Sequence, residues 1–354
     1  MPPVSGAAGG TGRELMLPAS SDTMYRMNQA TSGQPTAPDA PEITELGQDV
    51  FQIDTRMAGY EGITAGYLIR GSRPCLVETG TAPSAPIVRG ALAALGVGPA
   101  DLATIVVTHI HLDHAGGTGD LAGYYPGAEV VVHERGARHL ADPGRLMASA
   151  RQVYGDALDH LFGELAPTPG ERIRAVDDTG SVDLGDGRRL DSHYSPGHAK
   201  HHVGLLDSVS GDLYVGDAAG VYLQETGDMR AATPPPDFDL DLALGSLRRF
   251  AALQPTRLLF SHYGPVDAVD ETLQRSADEI LVWVDETRRA RGTGQDLDHA
   301  AAMVAERTRH RYAAFRADAD PALTEKFDRI SGTGANVAGI MRWLNKSAES
   351  PLGG

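Results

Sequence analysis

The chain has 354 residues, 41% of them hydrophobic, the composition of a globular protein with one large domain or two ordinary ones. Acidic side chains outnumber basic ones by 47 to 31 and the Lys and Arg residues are scattered, so the net charge of -16 argues against a nucleic-acid partner and for a small-molecule one. The single cysteine, Cys75, precludes an intrachain disulfide and a thiolate metal site, which points to the cytoplasm, and no run reaches the roughly 18 apolar residues of a membrane span.

Residues 1 to about 40 are rich in Gly, Pro, Ser, Ala and Thr without apolar periodicity and read as a disordered tail. From Val50 come short strand-like runs, VFQID (50 to 54), AGYLIR (65 to 70), CLVE (75 to 78), TIVVT (104 to 108) and EVVVH (129 to 133), with a helix, PIVRGALAALG, between Glu78 and Thr104. Residues 134 to 170 carry Leu146, Ala150, Val153, Ala157, Leu158 and Leu161 at helical spacing and read as a helical insertion. A second strand series follows: GRRLDSHY (187 to 194), VGLLD (203 to 207), DLYVGD (212 to 217) and, after an amphipathic helix, RLLFS (257 to 261). Beyond Pro265 the strand signal vanishes, and Ala268 to Arg291, Leu297 to Arg316 and Ala335 to Asn345 read as helices. The organisation expected is an α/β sandwich over 41 to 266 with a C-terminal helical region over 267 to 354.

The chemistry concentrates in THIHLDHAGG (108 to 117), where His109, His111, Asp113 and His114 fall within six positions just after an apolar strand. One histidine in such a place is an ordinary core or surface residue. Four such groups left unliganded against apolar surface would cost roughly 1–3 kcal/mol each. Imidazole and carboxylate together suit Zn, Fe or Mn, and the lack of sulfur favours a catalytic site over a closed structural one. Three more candidate ligands each follow an apolar run: His198 in SPGHAKHH, Asp217 in LYVGDAAG and His262 in LLFSHYGP. Side chains at strand ends of an α/β layer fold can share one edge crevice.

In these motifs the chain resembles the metallo-β-lactamase superfamily, whose landmarks run in order over residues 41 to about 266. The resemblance implies an αββα sandwich with two divalent metal ions, zinc first among the candidates and Fe or Mn after it. His109, His111 and His198 would hold one ion, Asp113, His114 and His262 the other, with Asp217 bridging. A hydroxide shared by the ions would attack a carbonyl, and Asp113 would carry the proton to the leaving group. Glu78, in VETG, stands where the family has the aspartate of a D-T-G turn, one methylene longer, and His202 is read as supporting the ligands from behind. His201, with Ala199 and Lys200, departs from the family's Thr-Pro-Gly and is open to either a supporting or an exposed reading.

The H-x-H-x-D-H and G-H-x-x-x-H elements are similar to those of glyoxalase II and the acyl-homoserine lactonases, which implies hydrolysis of an ester, thioester or lactone bond. The tyrosine that such lactonases carry three residues after the bridging aspartate is Gly220 here, with Tyr222 nearby. Met57, Tyr60, Tyr154, Tyr222 and Tyr263 are candidate pocket residues, with Met147 and Phe162 as further apolar wall. Arg288, Arg289, Arg307 and Lys326 are the C-terminal cations that a substrate carboxylate would meet on the glyoxalase II pattern. The C-terminal helices are candidates to cap the cleft or to form a homodimer interface. The alternative is a mononuclear non-haem iron oxidoreductase of the persulfide dioxygenase type, which uses the first ligand group alone; neither a nucleic-acid nor a membrane partner is expected.

Overall fold

The computed structural model describes residues 40–294 and 296–349. Apart from Ala40, the expected tail lies outside the described residues. In chain order come β1 (Ile43–Gly47), β2 (Val50–Asp54), β3 (Ala65–Ile69), β4 (Cys75–Val77), α1 (Ala85–Ala94), β5 (Thr104–Val106), α2 (Leu112–Ala115), α3 (Thr118–Tyr124), β6 (Glu129–His133), α4 (Glu134–Ala141), α5 (Gly144–Tyr154), α6 (Ala157–Leu161) and β7 (Ile173–Val176). These strands form one seven-stranded sheet in sequence order, antiparallel from β1 to β4 and parallel from β4 to β7. The second half supplies β8 (Thr179–Gly185), β9 (Arg188–Tyr194), β10 (Val203–Asp207), β11 (Asp212–Gly216), the hairpin β12 (Val221–Leu223) and β13 (Asp228–Arg230), α7 (Leu240–Ala252), β14 (Arg257–Phe260) and β15 (Gly264–Val266). Its six-stranded sheet has the order β15-β14-β11-β10-β9-β8, with only β11 and β14 parallel. Four helices close the described chain: α8 (Val269–Arg291), α9 (Leu297–Thr308), α10 (Pro321–Ser331) and α11 (Thr333–Glu349).

The period-2 alternation of each strand sorts its side chains into layers. On the first sheet, Val50, Tyr67, Cys75, Val77, Val106 and Val131 face inward, meeting Leu190, Val203, Leu205, Tyr214 and Leu259 of the second sheet. Their neighbours Ile53, Leu68, Leu76, Ile105, Val130 and Val132 face outward beneath α1, α3 and the insertion. On the second sheet, Leu213, Val215, Leu258 and Phe260 face outward under α7 and the C-terminal helices. The result is an αββα sandwich with three apolar layers, each fully buried side chain contributing roughly 1.5–3 kcal/mol. Cys75 is buried in a strand between the sheets, as its apolar surroundings in the sequence suggest.

The insertion is helical, as expected, and divides into the three short helices α4, α5 and α6. The C-terminal region is also helical, but α8 belongs to the sandwich. Its Leu273, Ile280, Trp283 and Val284 are buried in the same cluster as Phe250 of α7 and Phe260 of β14. Arg230, at the end of β13, fastens the later elements: its guanidinium lies 4.4 Å from the Phe327 ring centre, 4.7 Å from Tyr312 and 5.3 Å from Trp283. The helix expected to run from Leu297 to Arg316 ends at Thr308, because Tyr312 turns inward to accept from Trp283 Nε1 at 2.8 Å and to donate to Glu279 at 2.9 Å. Among the described residues no helix is long and apolar enough to cross a membrane.

Candidate metal centre

Every candidate ligand leaves the end of a strand on one edge of the sandwich. After β5 the chain extends through Thr108 and His109, and His111 is the extended residue that opens α2, whose first turn carries Asp113 and His114. His198 sits in the loop between β9 and β10, Asp217 directly follows β11, and His262 lies two residues beyond β14. Parallel pairing of β4 with β5, and of β11 with β14, aligns those strand ends. Of the seven, His109, His114, His198, Asp217 and His262 are buried, whereas the Asp113 side chain keeps 20% of its surface exposed.

The structure brings all seven together. His111 Nδ1 lies 3.0 Å from His109 Nε2 and 2.9 Å from His198 Nε2. Tetrahedral Zn–N bonds of 2.0–2.1 Å would space such nitrogens roughly 3.3 Å apart. Beside them, Asp113 Oδ2 lies 3.5 Å from His114 Nε2 and 3.3 Å from His262 Nε2. Asp217 spans the two groups: Oδ2 is 3.6 Å from His198 Nε2, and Oδ1 is 3.4 Å from His114 Nε2 and 3.7 Å from His262 Nε2. Three overlapping sets, His109–His111–His198, His109–His114–Asp217 and Asp113–His114–His262, each have their ligand atoms within 4.8 Å of one another.

On His109, His114, His198 and His262 the ring nitrogen facing away from the centre is engaged, which sets the tautomers. His198 Nδ1 donates to the Ala232 carbonyl at 3.0 Å, and His262 Nδ1 to the Ile63 carbonyl at 2.8 Å. His114 Nδ1 donates to Glu78 Oε2 at 2.8 Å, while Glu78 Oε1 accepts from Thr108 N at 2.6 Å. The extra methylene of Glu78 thus does not cost it its hydrogen bonds; the backbone takes it up in the left-handed region, at φ 65°. His202 Nε2 accepts from Asp217 N at 3.1 Å and its Nδ1 faces Ser195 Oγ at 2.8 Å, so it fixes the backbone of Asp217.

Burial pushes the His109, His198 and His202 imidazoles below their usual range, and His111 down to about 4. Burial opposes charge on His114 and His262 too, but the Asp113 and Asp217 carboxylates outweigh it and hold both above that range. Against the same burial, His114 and then His262 hold the two carboxylates below theirs. The metal-free centre is therefore a neutral imidazole cluster beside protons shared between histidines and carboxylates. Within the centre, His114 Nε2 and Asp217 Oδ1 are buried, face one another at 3.4 Å and make no well-formed hydrogen bond. Opposed lone pairs and orphaned polar atoms around one point fit divalent cations.

A model of the metallo-β-lactamase superfamily matches residues 59–262. The chain belongs to that superfamily. A metallo-β-lactamase fold-containing protein of Sulfurisphaera tokodaii is 34% identical over 189 residues, covering 51% of this chain and 69% of that protein. A probable metallo-hydrolase of Bacillus subtilis is 25% identical over 276 residues (68% and 80%), and a hydroxyacylglutathione hydrolase of Synechococcus sp. is 29% identical over 172 (48% and 52%). Among solved structures, that of an archaeal metallo-β-lactamase superfamily protein from Sulfolobus tokodaii superposes with a TM-score of 0.62 at 23% identity, over 83% of this chain and 99% of that one. Members of the superfamily are generally hydrolytic metalloenzymes, and the ligand cluster is of the kind that holds their metals.

The candidate pocket residues divide. Tyr154, half-buried on α5, meets the Phe162 ring at 4.8 Å in a tilted contact, and its phenol is pushed up by burial and then by the charge of Asp113. Met57 packs half-buried between two apolar clusters, and Tyr60 is 38% exposed at the tip of the same loop. Tyr222 is half-buried. Its ring stacks on Phe260 at 5.7 Å within the outer layer, because the β12–β13 hairpin lies across that layer. Tyr263 is buried with its hydroxyl 3.5 Å from Asp54. Of the C-terminal cations, Arg288, Arg289 and Arg307 pair with Asp285 and Glu286, whereas Lys326 reaches Glu225 at 2.5 Å and lies 5.9 Å from the Tyr263 ring centre. His201, which motif reading left open, lies half-buried, face to face with His109 at 6.2 Å and accepting from Ile110 N at 3.3 Å. The signal for it is its position between His198 and His202 in the same short turn before β10.

Proposed function

We propose that the chain is a binuclear metal-dependent hydrolase that cleaves an ester, thioester or lactone bond of a small molecule. The observation that carries this reading is the convergence of seven His and Asp side chains in overlapping ligand sets, with His114 Nε2 and Asp217 Oδ1 buried at their junction, 3.4 Å apart and without a well-formed hydrogen bond. His109, His111 and His198 would hold one ion and Asp113, His114 and His262 the other, with Asp217 shared. Such a pair of ions, zinc first among the candidates, supplies a hydroxide nucleophile near neutral pH and Lewis acidity for the carbonyl and leaving group.

The chain's own residues do the rest. Asp113, the more open of the two carboxylates, takes the proton of the attacking water and returns it to the leaving oxygen or sulfur. Its Oδ2 lies 3.3 Å from His262 Nε2 and 3.5 Å from His114 Nε2. Tyr154, whose phenol burial keeps protonated, packs against the same apolar cluster as Phe162 and would be a hydrogen-bond donor toward the substrate. The half-buried Met57 and Met147 and the buried Phe162 give that side an apolar wall for an acyl chain. The Synechococcus relative, named as a hydroxyacylglutathione hydrolase, supports a thioester among the candidate bonds. The completeness of the second ligand group weighs against the mononuclear iron oxidoreductase, which needs only the first.

The test is a hydrolysis panel of acyl thioesters, aryl esters and lactones of graded chain length on metal-analysed protein. Metal-dependent turnover of at least one bond class supports the proposal. Oxygen uptake with a persulfide substrate, in the absence of any hydrolysis, would replace it.

A further inference from the structure

Asp54, the last residue of β2, is 1% exposed and carries no ion pair among the described residues. The largest charge effects on it come from Glu42 and Glu61 and are both unfavourable, and burial pushes its carboxyl above the usual range. A buried carboxylate in negative surroundings is costly unless hydrogen bonds compensate it. Its Oδ1 accepts from Arg56 N at 2.8 Å and its Oδ2 from Gly62 N at 2.6 Å, so one carboxylate grips both ends of the loop between β2 and β3. Thr55 reinforces the closure through the Thr64 carbonyl at 3.0 Å and the Thr64 hydroxyl.

That loop is held against its own preferences. Arg56 and Ala58 stand at φ 49° and 50°, in the left-handed region where a residue with a Cβ costs roughly 1–2 kcal/mol. Strain of this kind persists where surrounding contacts over-determine it, and it marks a segment with work to do. The loop delivers the Ile63 carbonyl to His262 Nδ1 at 2.8 Å, which turns His262 Nε2 toward Asp113 and Asp217. The adjoining Ala65 N donates to Ser261 O at 2.8 Å, and Tyr263, the residue after His262, brings its hydroxyl to 3.5 Å from Asp54. Asp54 therefore meets His262 from two sides without touching the metal centre.

We propose that Asp54 is a positioning residue for the Asp113–His114–His262 ligand group, acting through the loop that carries Ile63. The His109–His111–His198 group takes its outer hydrogen bonds from Thr108 and Ala232, on other elements, and does not depend on Asp54. The inference rests on the two-ion reading of the site. Asparagine at 54 keeps the size of the side chain but offers one acceptor oxygen to two N–H donors.

The experiment titrates metal-free parent, Asp54→Asn and Asp54→Asn/Ala58→Gly with zinc against a chelating indicator, alongside urea unfolding of each protein. For Asp54→Asn one of the two zinc affinities is expected to fall tenfold or more while the other stays within threefold. The glycine variant, which removes the left-handed penalty at 58, should recover part of the loss. Two unchanged affinities in Asp54→Asn, equal weakening of both, or loss that merely follows reduced stability with no glycine rescue would each overturn the proposal. A parent that binds no zinc at all would instead overturn the two-ion reading on which it rests.

Discussion

Glu78→Gln perturbs the centre with the least change of shape. In the parent each carboxylate oxygen accepts one hydrogen bond, from Thr108 N at 2.6 Å and from His114 Nδ1 at 2.8 Å, in a side chain 1% exposed. Hydrogen bonds to a charged acceptor are worth roughly 1.5–3 kcal/mol. Glutamine has one acceptor oxygen, so its NH₂ must face either the Thr108 N–H or the His114 Nδ1–H, donor against donor. If it faces His114, the ring loses both the bond that fixes its tautomer and the negative charge that raises its basicity. Loss of such support typically lowers metal affinity about 10–100-fold, or roughly 1.4–2.7 kcal/mol. Glu78→Asp keeps both oxygens but withdraws them by about 1.5 Å, and its affinity should fall between the parent and the glutamine variant. The assay is competition for zinc against a chelator of known affinity, with thermal unfolding as a control for folding. A glutamine variant that holds metal within twofold of the parent and turns over at the parent's rate would refute this account of Glu78.

Asp113→Asn should lower turnover by about 10²–10⁴-fold, the usual worth of a positioned acid–base group, while the purified protein still folds; a rate within a few-fold of the parent would remove Asp113 from the proton path. In metal-free protein, His111 titrates at about 4 when folded against about 6.5 when unfolded, so protons bind the unfolded chain first as the pH falls through that window. Stability should therefore drop by roughly 3 kcal/mol from this group between pH 6.5 and 4. His114 and His262, whose folded values are raised, contribute a constant amount below 6.5 and lose it only as the pH rises. Urea midpoints across that range check this, and a flat profile would contradict it. Trp283→Ala removes a side chain with 0% exposure from the layer between α8 and the second sheet and should cost about 3–5 kcal/mol by urea unfolding. A cost below 1 kcal/mol would mean that α8 is not part of that core.

Much of this architecture was legible because its central strands are buried on both faces. VFQID, EVVVH and VGLLD read as strands with the bounds the structure gives them. The strands that periodicity did not yield are mostly edges or fragments. β1 has no buried residue, β8 buries only Val182 and Leu184, and β12, β13 and β15 have three residues each, too few for a pattern. In the C-terminal region α10 is polar enough to escape the apolar count, although Asp320-Pro321 is a sound helix-start signal and Asp320 caps Ala322 N at 2.9 Å. At the site, the candidate ligands that the structure brings together were legible because each follows an apolar run. Their supports are less so: Ile63 and Ala232 act through backbone carbonyls, which no side-chain motif encodes, and Asp54 sits in an unremarkable strand end. Proximity in sequence to Asp217 does not fix the direction of Tyr222, whose ring lies on Phe260.

The central claim is that two divalent ions are held jointly by side chains from four separate stretches of the chain. Elemental analysis of the purified protein, before and after chelation and after zinc is restored, tests it most directly. The account predicts two metal equivalents per chain, hydrolysis that disappears with them and returns with them. Protein that carries no metal, takes up none and hydrolyses its substrate unchanged would contradict it.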